Sequence, residues 1–188
     1  DVTVFERDDR PGGLLMYGVP NIKLPKDLLM EKITDLKAQG VKFEFNWELK
    51  SPEDFSKLQE DFAAVVLCVG SRKPKVLPGV QVDNKQIFQA KDFLAEVTKD
   101  LLNGTDLMNV KGKDVVIVGG GDTAAVDALL LSRVAKKVVI IHRRDTLRAT
   151  KIYHEPLFKA ENVEFCWDSV VTELLHDEKI SGVRLRNV

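Results

Sequence analysis

The sequence predicts an α/β fold with a mostly parallel sheet. Short apolar strands alternate with amphipathic helical stretches along most of the chain. One strand, 114–118, runs straight into three glycines and then a helical pattern, the order of a β–turn–α unit. The chain has 188 residues, 44% of them hydrophobic and 30% charged, which is the composition of a folded protein able to bury a core. The formal net charge of −1 gives no whole-chain field for nucleic acid or an anionic membrane, so any basic site must be local.

Taken in order, strands are expected at 2–5, 41–45, 63–69, 114–118 and 137–141. Two further runs, 166–175 and 180–188, are joined by the polar turn "HDEK" and read as an antiparallel hairpin. Helices are expected at 27–39, 52–59, 90–102, 122–134 and 152–161. The first carries apolar residues at 28, 29, 33 and 36, with Gly40 where a C-terminal glycine belongs. "SPED" at 51–54 opens the second, with serine at the cap, proline at the first helical position and acids in the first turn. The polar stretch 103–113 marks a seam, dividing the chain into 1–108 and 109–188.

The two cysteines, Cys68 and Cys166, lie far apart in apolar contexts and form no CxxC. They are expected to be buried free thiols in a reducing cytoplasm, with no disulfide framework and no zinc site. No apolar run has the roughly 18 residues that span a bilayer. The opening "DVTVF" is already strand-like, so the chain is expected to be a piece of a longer protein.

The strongest motif is "DVVIVGGGDTAA" at 114–125. As G-x-G-x-x-A it uses Gly119 for the tight turn and Gly121 for close backbone approach to a pyrophosphate. Ala124 is small enough for helix and strand to pack closely. Asp122 and Thr123 open the helix whose N-terminus would face the pyrophosphate. The next strand ends at His142, about 20 residues on, where a dinucleotide fold places its ribose-reading residue. There the chain turns basic: Arg143 and Arg144 leave the strand, and Arg148 follows on the next loop. An acid at that point accepts hydrogen bonds from a 2′-hydroxyl, whereas arginine offers planar donors to a 2′-phosphate. Between 136 and 151 six Lys or Arg face one acid, Asp145, which points to NADP(H) over NAD(H). A solvated basic loop is the competing reading. A nucleic-acid patch would want a broader basic face or interleaved aromatics, and neither is present.

The first half carries the opposite charge at the matching place. The strand 2–5 ends at Glu6, and Gly12 and Gly13 precede Leu14. An acid there fits the ribose of FAD or NAD. Only five residues lie ahead of Glu6, so the glycine-rich turn that would complete such a site is not on this chain. Glu6 is then either a surface carboxylate or the end of a nucleotide half truncated at its N-terminus. Gly70 ends the run 63–69, and with Pro74 and Pro78 beyond it reads as a close backbone pass and a departure from the sheet.

The order "VTVFER…PGGLLMYGVPNIKLPK…AVVLCVGSRKPKVLPG…AKDFL…VVIVGGGDTA" resembles the small (beta) subunit of NADPH-dependent glutamate synthase and its relatives. From Gly119 onward, "GGGDTAAVDALLLS", "IHRRDTLRA" and "ISGVRLRNV" are more similar to thioredoxin reductase. The resemblance implies two Rossmann-like, three-layer domains, the first truncated and the second missing its last strand. It implies a flavoprotein passing a hydride from NADPH to FAD and onward to an electron-accepting partner subunit or iron–sulfur protein. By the same resemblance Glu6, Gly13, Leu14 and Gly70 fall on the FAD side. Gly119, Gly121, Asp122, Thr123, Ala124, His142, Arg143, Arg144 and Arg148 fall on the NADP(H) side. The chain lacks the CxxC of thioredoxin reductase and the cysteine-rich iron–sulfur segment of the glutamate synthase subunit. A reductase with another acceptor, or a nucleotide-binding module without turnover, are the rival readings.

Overall fold

The computed structural model describes residues 1–71, 84–106 and 109–188. Its elements form an α/β fold with parallel pairing in two of three sheets, and the chain divides into two compact units.

The first unit comprises Asp1–Lys73 and Leu94–Leu102. Its strands β1 (Thr3–Phe5) and β2 (Lys42–Glu44) pair in parallel, Val4 opposite Phe43. Between them lie α1 (Gly13–Tyr17) and α2 (Lys26–Ala38), followed by α3 (Pro52–Asp61). The end of α2 follows from Gly40: the Gly40 amide reaches the Lys37 carbonyl and the Val41 amide the Leu36 carbonyl, each over about one turn, at 3.0 and 3.1 Å. That double closure needs a left-handed residue, and Gly40 has φ +92°. The Ser51 hydroxyl accepts from the Asp54 amide at 3.2 Å while the Asp54 carboxylate accepts from the Ser51 amide at 3.0 Å, a reciprocal cap that starts α3. Met16, Tyr17, Ile33, Leu58 and Leu94 are buried, and Phe5 packs against Trp47 and Phe62.

The second unit comprises Pro74–Phe93 and Asn103–Val188. Strands β3 (Asp114–Val118), β4 (Lys137–Ile141) and β5 (Val163–Cys166) form a parallel sheet in that order. Helix α5 (Asp122–Leu131) crosses from β3 to β4, and α6 (His154–Lys159) leads to β5. The core gathers Ala125, Ala128 and Leu131 of α5, Val138 and Ile140 of β4, Leu147 and Ala149 of the next loop, and Leu157 of α6. Phe165 stacks on Trp167 with ring centroids 4.7 Å apart. Strands β6 (Ser169–His176) and β7 (Ile180–Asn187) form the expected antiparallel hairpin. Helix α4 (Ala90–Asn103) has residues in both units.

Four expectations need correction. Residues 63–69 form no strand: Val66, Leu67 and Val69 are 82%, 56% and 66% exposed, and no described strand lies beside them to take their backbone groups. Apolar, β-branched sequence does not make a strand without a partner. Cys68 falls in this segment and is therefore exposed, while Cys166 is half-buried, so the expectation of two buried thiols fails. The run 166–175 is two strands, parted at Asp168, whose φ of +47° turns the chain out of one sheet and into the other. The helix expected from 152 begins as a 3₁₀ turn over Lys151–Tyr153, because Pro156 has no N–H to reach the Ile152 carbonyl. Helix α1 was not foreseen, hidden behind a glycine pair that reads as a turn. Pro74 and Pro78 lie outside the described residues. No helix of the described residues is long and apolar enough to cross a membrane, and no group of three or more His, Cys, Asp or Glu among them could hold a metal ion.

Candidate dinucleotide site

The glycine turn is built by contacts from both sides. Gly119 leaves β3 with φ +150°, and a Cβ there would lie 3.2 Å from the Ala124 methyl, so the strand end and the first turn of α5 are packed as closely as two small residues allow. Gly121 has φ −91° and open space where a side chain would be. The first intrahelical bond of α5 runs from the Ala125 amide to the Gly121 carbonyl at 3.0 Å, and the N–H groups ahead of it form the positive end of the helix. Thr123 is exposed beside them.

Gly120 was missed by the sequence reasoning, yet it is the most constrained of the three. A Cβ on it would sit 2.5 Å from the His142 ring. Its carbonyl accepts from the Arg148 and Ala149 amides at 2.7 and 3.0 Å. The only signal for it was the middle glycine of the run, which G-x-G-x-x-A spacing leaves unspecified.

His142 is 6% exposed and set at the end of β4, its amide bonded to the Cys166 carbonyl at 2.9 Å and its ring edge-on to Trp167. Its pKa lies below the ordinary value, first because burial disfavours the imidazolium and then because Arg144, Arg143 and Arg148 repel it. Nε2 has no hydrogen-bond partner among the described residues. Arg143, Arg144 and Arg148 are exposed, and no carboxylate of the described residues pairs with any of them within 4.0 Å. Leu147 and Ala149, buried on either side of Arg148, keep its side chain turned outward. Three guanidinium groups with no carboxylate partner among the described residues, beside a buried imidazole at a glycine turn, are suited to an anion of high charge density.

Asp122 does not face that space alone. Its Oδ1 accepts from the Thr150 amide at 2.7 Å, and the Thr150 hydroxyl donates to the same carboxylate at 3.0 and 3.1 Å. Asp127, also missed, is 5% exposed on α5, and its Oδ1 is without a partner among the described residues. Burial pushes its carboxyl up to about 7. An acid inside an otherwise apolar helical run, "AAVDALLL", was the signal that could have found it.

On the first unit, Glu6 continues from β1. Its amide bonds to the Glu44 carbonyl at 2.8 Å, and its Oε1 accepts from the Asp8 amide at 3.0 Å. Gly13 (φ +51°) begins α1, and Leu14 beside it is 56% exposed. The loop between Glu6 and α1 is held by Asp9, Arg10 and Tyr17: the Tyr17 hydroxyl donates to Asp9, and Arg10 donates to both. Burial and the Asp9 contact push the Tyr17 phenol up to about 12. Gly70 has φ +65° and nothing within 4 Å of its Cβ position, so the close backbone pass expected there is not formed among the described residues.

A family model for pyridine nucleotide-disulphide oxidoreductases matches residues 13–187. The chain is 42% identical to the glutamate synthase [NADPH] small chain of Bacillus subtilis over 128 residues, which are 66% of this chain and 26% of that protein. It is 33% identical to the thioredoxin reductase of Streptomyces coelicolor over 202 residues, covering 98% of this chain and 59% of that one. Among solved structures, a crystal structure of Lactococcus lactis thioredoxin reductase superposes with a TM-score of 0.63, covering 98% of this chain and 62% of that one at 23% identity, a likeness of fold. The chain thus spans less than two thirds of the length of these relatives.

Proposed function

Since the chain belongs to the pyridine nucleotide-disulphide oxidoreductase family, we propose that it is part of an FAD-dependent enzyme that passes a hydride from NADPH to FAD and on to a partner. Residues 109–188 form the NADP(H)-binding half and residues 1–108 belong to an FAD-binding half, both Rossmann-like. The observation that carries the reading is the arginine cluster. Arg143, Arg144 and Arg148 have no acidic partner among the described residues and surround the end of β4 beside a glycine turn.

In this reading the pyrophosphate rests on Gly119–Gly121 and the N-terminus of α5, with Thr123 and Ala124 beside it. The 2′-phosphate is held by the three arginines, and His142 supports the turn from behind. Glu6 takes the ribose of FAD, with Gly13, Leu14 and Gly70 on the same side. FAD, when bound, accepts the hydride and passes electrons on; this chain's residues position and select the nucleotides. The acceptor is a partner subunit or an iron–sulfur protein, and the compartment is the cytoplasm. The chain has no CxxC, so a dithiol step does not take place on it.

The test is an absorbance spectrum of the purified protein with NADPH and NADH titrations. A flavin spectrum bleached by NADPH supports the oxidoreductase, and a colourless chain that binds NADPH reduces it to a nucleotide-binding module. Replacing Arg143 and Arg148 by alanine should weaken NADPH binding by roughly 1.5–3 kcal/mol per charged hydrogen bond lost, with NADH little changed. Equal loss for both nucleotides overturns the 2′-phosphate assignment.

A further inference from the structure

We propose that Asp122 and Thr150 form a clasp that sets NADP(H)-over-NAD(H) selectivity, by fixing where the arginine loop returns to the glycine turn. The inference rests on the NADP(H) reading of the arginines. The loop leaves β4 at His142 and carries Arg143, Arg144 and Arg148 outward. Seven exposed or alternating residues of this kind do not hold a position by packing alone; Leu147 and Ala149 are the only buried side chains between His142 and Thr150. Its return is fixed by hydrogen bonds to the turn. The Arg148 and Ala149 amides both reach the Gly120 carbonyl, and Thr150 reaches Asp122 through its amide and its hydroxyl.

The chemistry of Asp122 supports an architectural role. A carboxylate in the first turn of a helix that receives a pyrophosphate competes with that anion for the same field. Here both carboxylate oxygens are engaged by Thr150, one of them twice, which turns the charge toward the loop. The pair spans 28 positions in sequence, so it ties the element that binds the pyrophosphate to the element that would read the 2′-phosphate. The Thr150 amide bond, at 2.7 Å, has the length of the stronger, charge-assisted class, and the hydroxyl proton is shared between the two carboxylate oxygens over longer distances. Asp122 and Thr150 are thus positioning residues, acting through Arg148.

The experiment measures dissociation constants for NADP+ and NAD+ with the full chain, by calorimetry, for the parent, Thr150→Val, Thr150→Ser, Asp122→Ala, Arg148→Ala and the Thr150→Val/Arg148→Ala double variant. Thr150→Val is expected to lower NADP+ affinity by about three- to tenfold, and Asp122→Ala by about tenfold or more. NAD+ affinity should change less than about twofold in Thr150→Val, whereas Asp122→Ala, which also removes a charge beside the shared pyrophosphate, should shift NADP+ affinity downward relative to NAD+. Thr150→Ser, which keeps the hydroxyl donor, should restore the selectivity. The double variant should lose little beyond Arg148→Ala alone, because the clasp acts through that arginine. Equal weakening of both nucleotides by Thr150→Val, failure of Thr150→Ser to restore selectivity, or full additivity in the double variant each overturns the clasp. A parent chain that binds NADP+ no tighter than NAD+ overturns the cofactor reading itself, and the clasp with it. Circular-dichroism melts identify any variant that has simply unfolded, and the serine variant then decides the question.

Discussion

The imidazole of His142 occupies the space that a side chain on Gly120 would need: a Cβ there would lie 2.5 Å from three atoms of the ring. The end of one strand and the turn after another are therefore packed against each other with no room between them. The second glycine of the run is required by a tertiary contact, and the third by access.

The two glycines should separate in mutagenesis. Gly120→Ala forces His142 to move and should destabilise the chain by roughly 1–3 kcal/mol, the cost of overpacking a filled site. Gly121→Ala meets open space at φ −91° and should leave the unfolding free energy nearly unchanged while weakening NADPH binding. Urea denaturation and a nucleotide titration on both variants check this. An equally unstable Gly121→Ala would contradict the open geometry.

His142 reports on the arginines around it. Burial and the charges of Arg144, Arg143 and Arg148 hold its pKa below the ordinary value, so it is neutral at neutral pH. A dianion seated on those arginines offsets their repulsion and should raise that pKa. An NMR titration of the imidazole with and without adenosine 2′,5′-bisphosphate measures the change. An unmoved titration would place the phosphate elsewhere.

Asp127 makes stability depend on pH. Its native pKa of about 7 lies above the ordinary 3.8. Between those values the native state keeps a proton that the unfolded chain has released, so stability falls as pH rises from about 4 to about 7. Asp127→Asn should flatten that slope and raise the unfolding free energy at pH 8 by roughly 1–3 kcal/mol. Denaturation curves at pH 5 and pH 8 for parent and variant decide it; parallel slopes in the two would mean the carboxylate is compensated.

Lys26 does for α1 what a capping residue does for a longer helix. It is 3% exposed, and its ammonium donates to the Leu15 and Val19 carbonyls at 2.8 and 2.6 Å. Lys26→Met keeps the apolar stem but leaves both carbonyls without this donor, which should cost about 1–3 kcal/mol. Equilibrium unfolding followed by fluorescence of Trp47, in the same unit, reads the loss. A variant as stable as the parent would show that the carbonyls are satisfied another way.

Much of the second unit was legible before any coordinates. The bounds 114–118 and 137–141 agree with β3 and β4, and the α5 start agrees with the motif. The same is true of the serine cap that opens α3 and of the hairpin β6–β7, although the return bond from the Ser51 amide to Asp54 was not. The arginine cluster was visible because charge at a strand end is a local pattern. By contrast, nothing local distinguishes 63–69 from β3: both are β-branched and apolar, but only β3 has β4 beside it to take its hydrogen bonds.

Where strands, caps and turns can form is written locally along the chain, as is the sign of charge at each strand end, Glu6 in one half and Arg143 in the other. These are decided within a few residues, by side-chain period, cap chemistry and backbone freedom. Packing settles the rest: which apolar run becomes a strand, that Gly120 must stay bare because of His142, that Asp122 is held by Thr150, and that Asp127 loses its solvent. Each depends on a partner brought near only by the packed chain, and for Asp122 that partner lies 28 positions away. No local pattern encodes that distance.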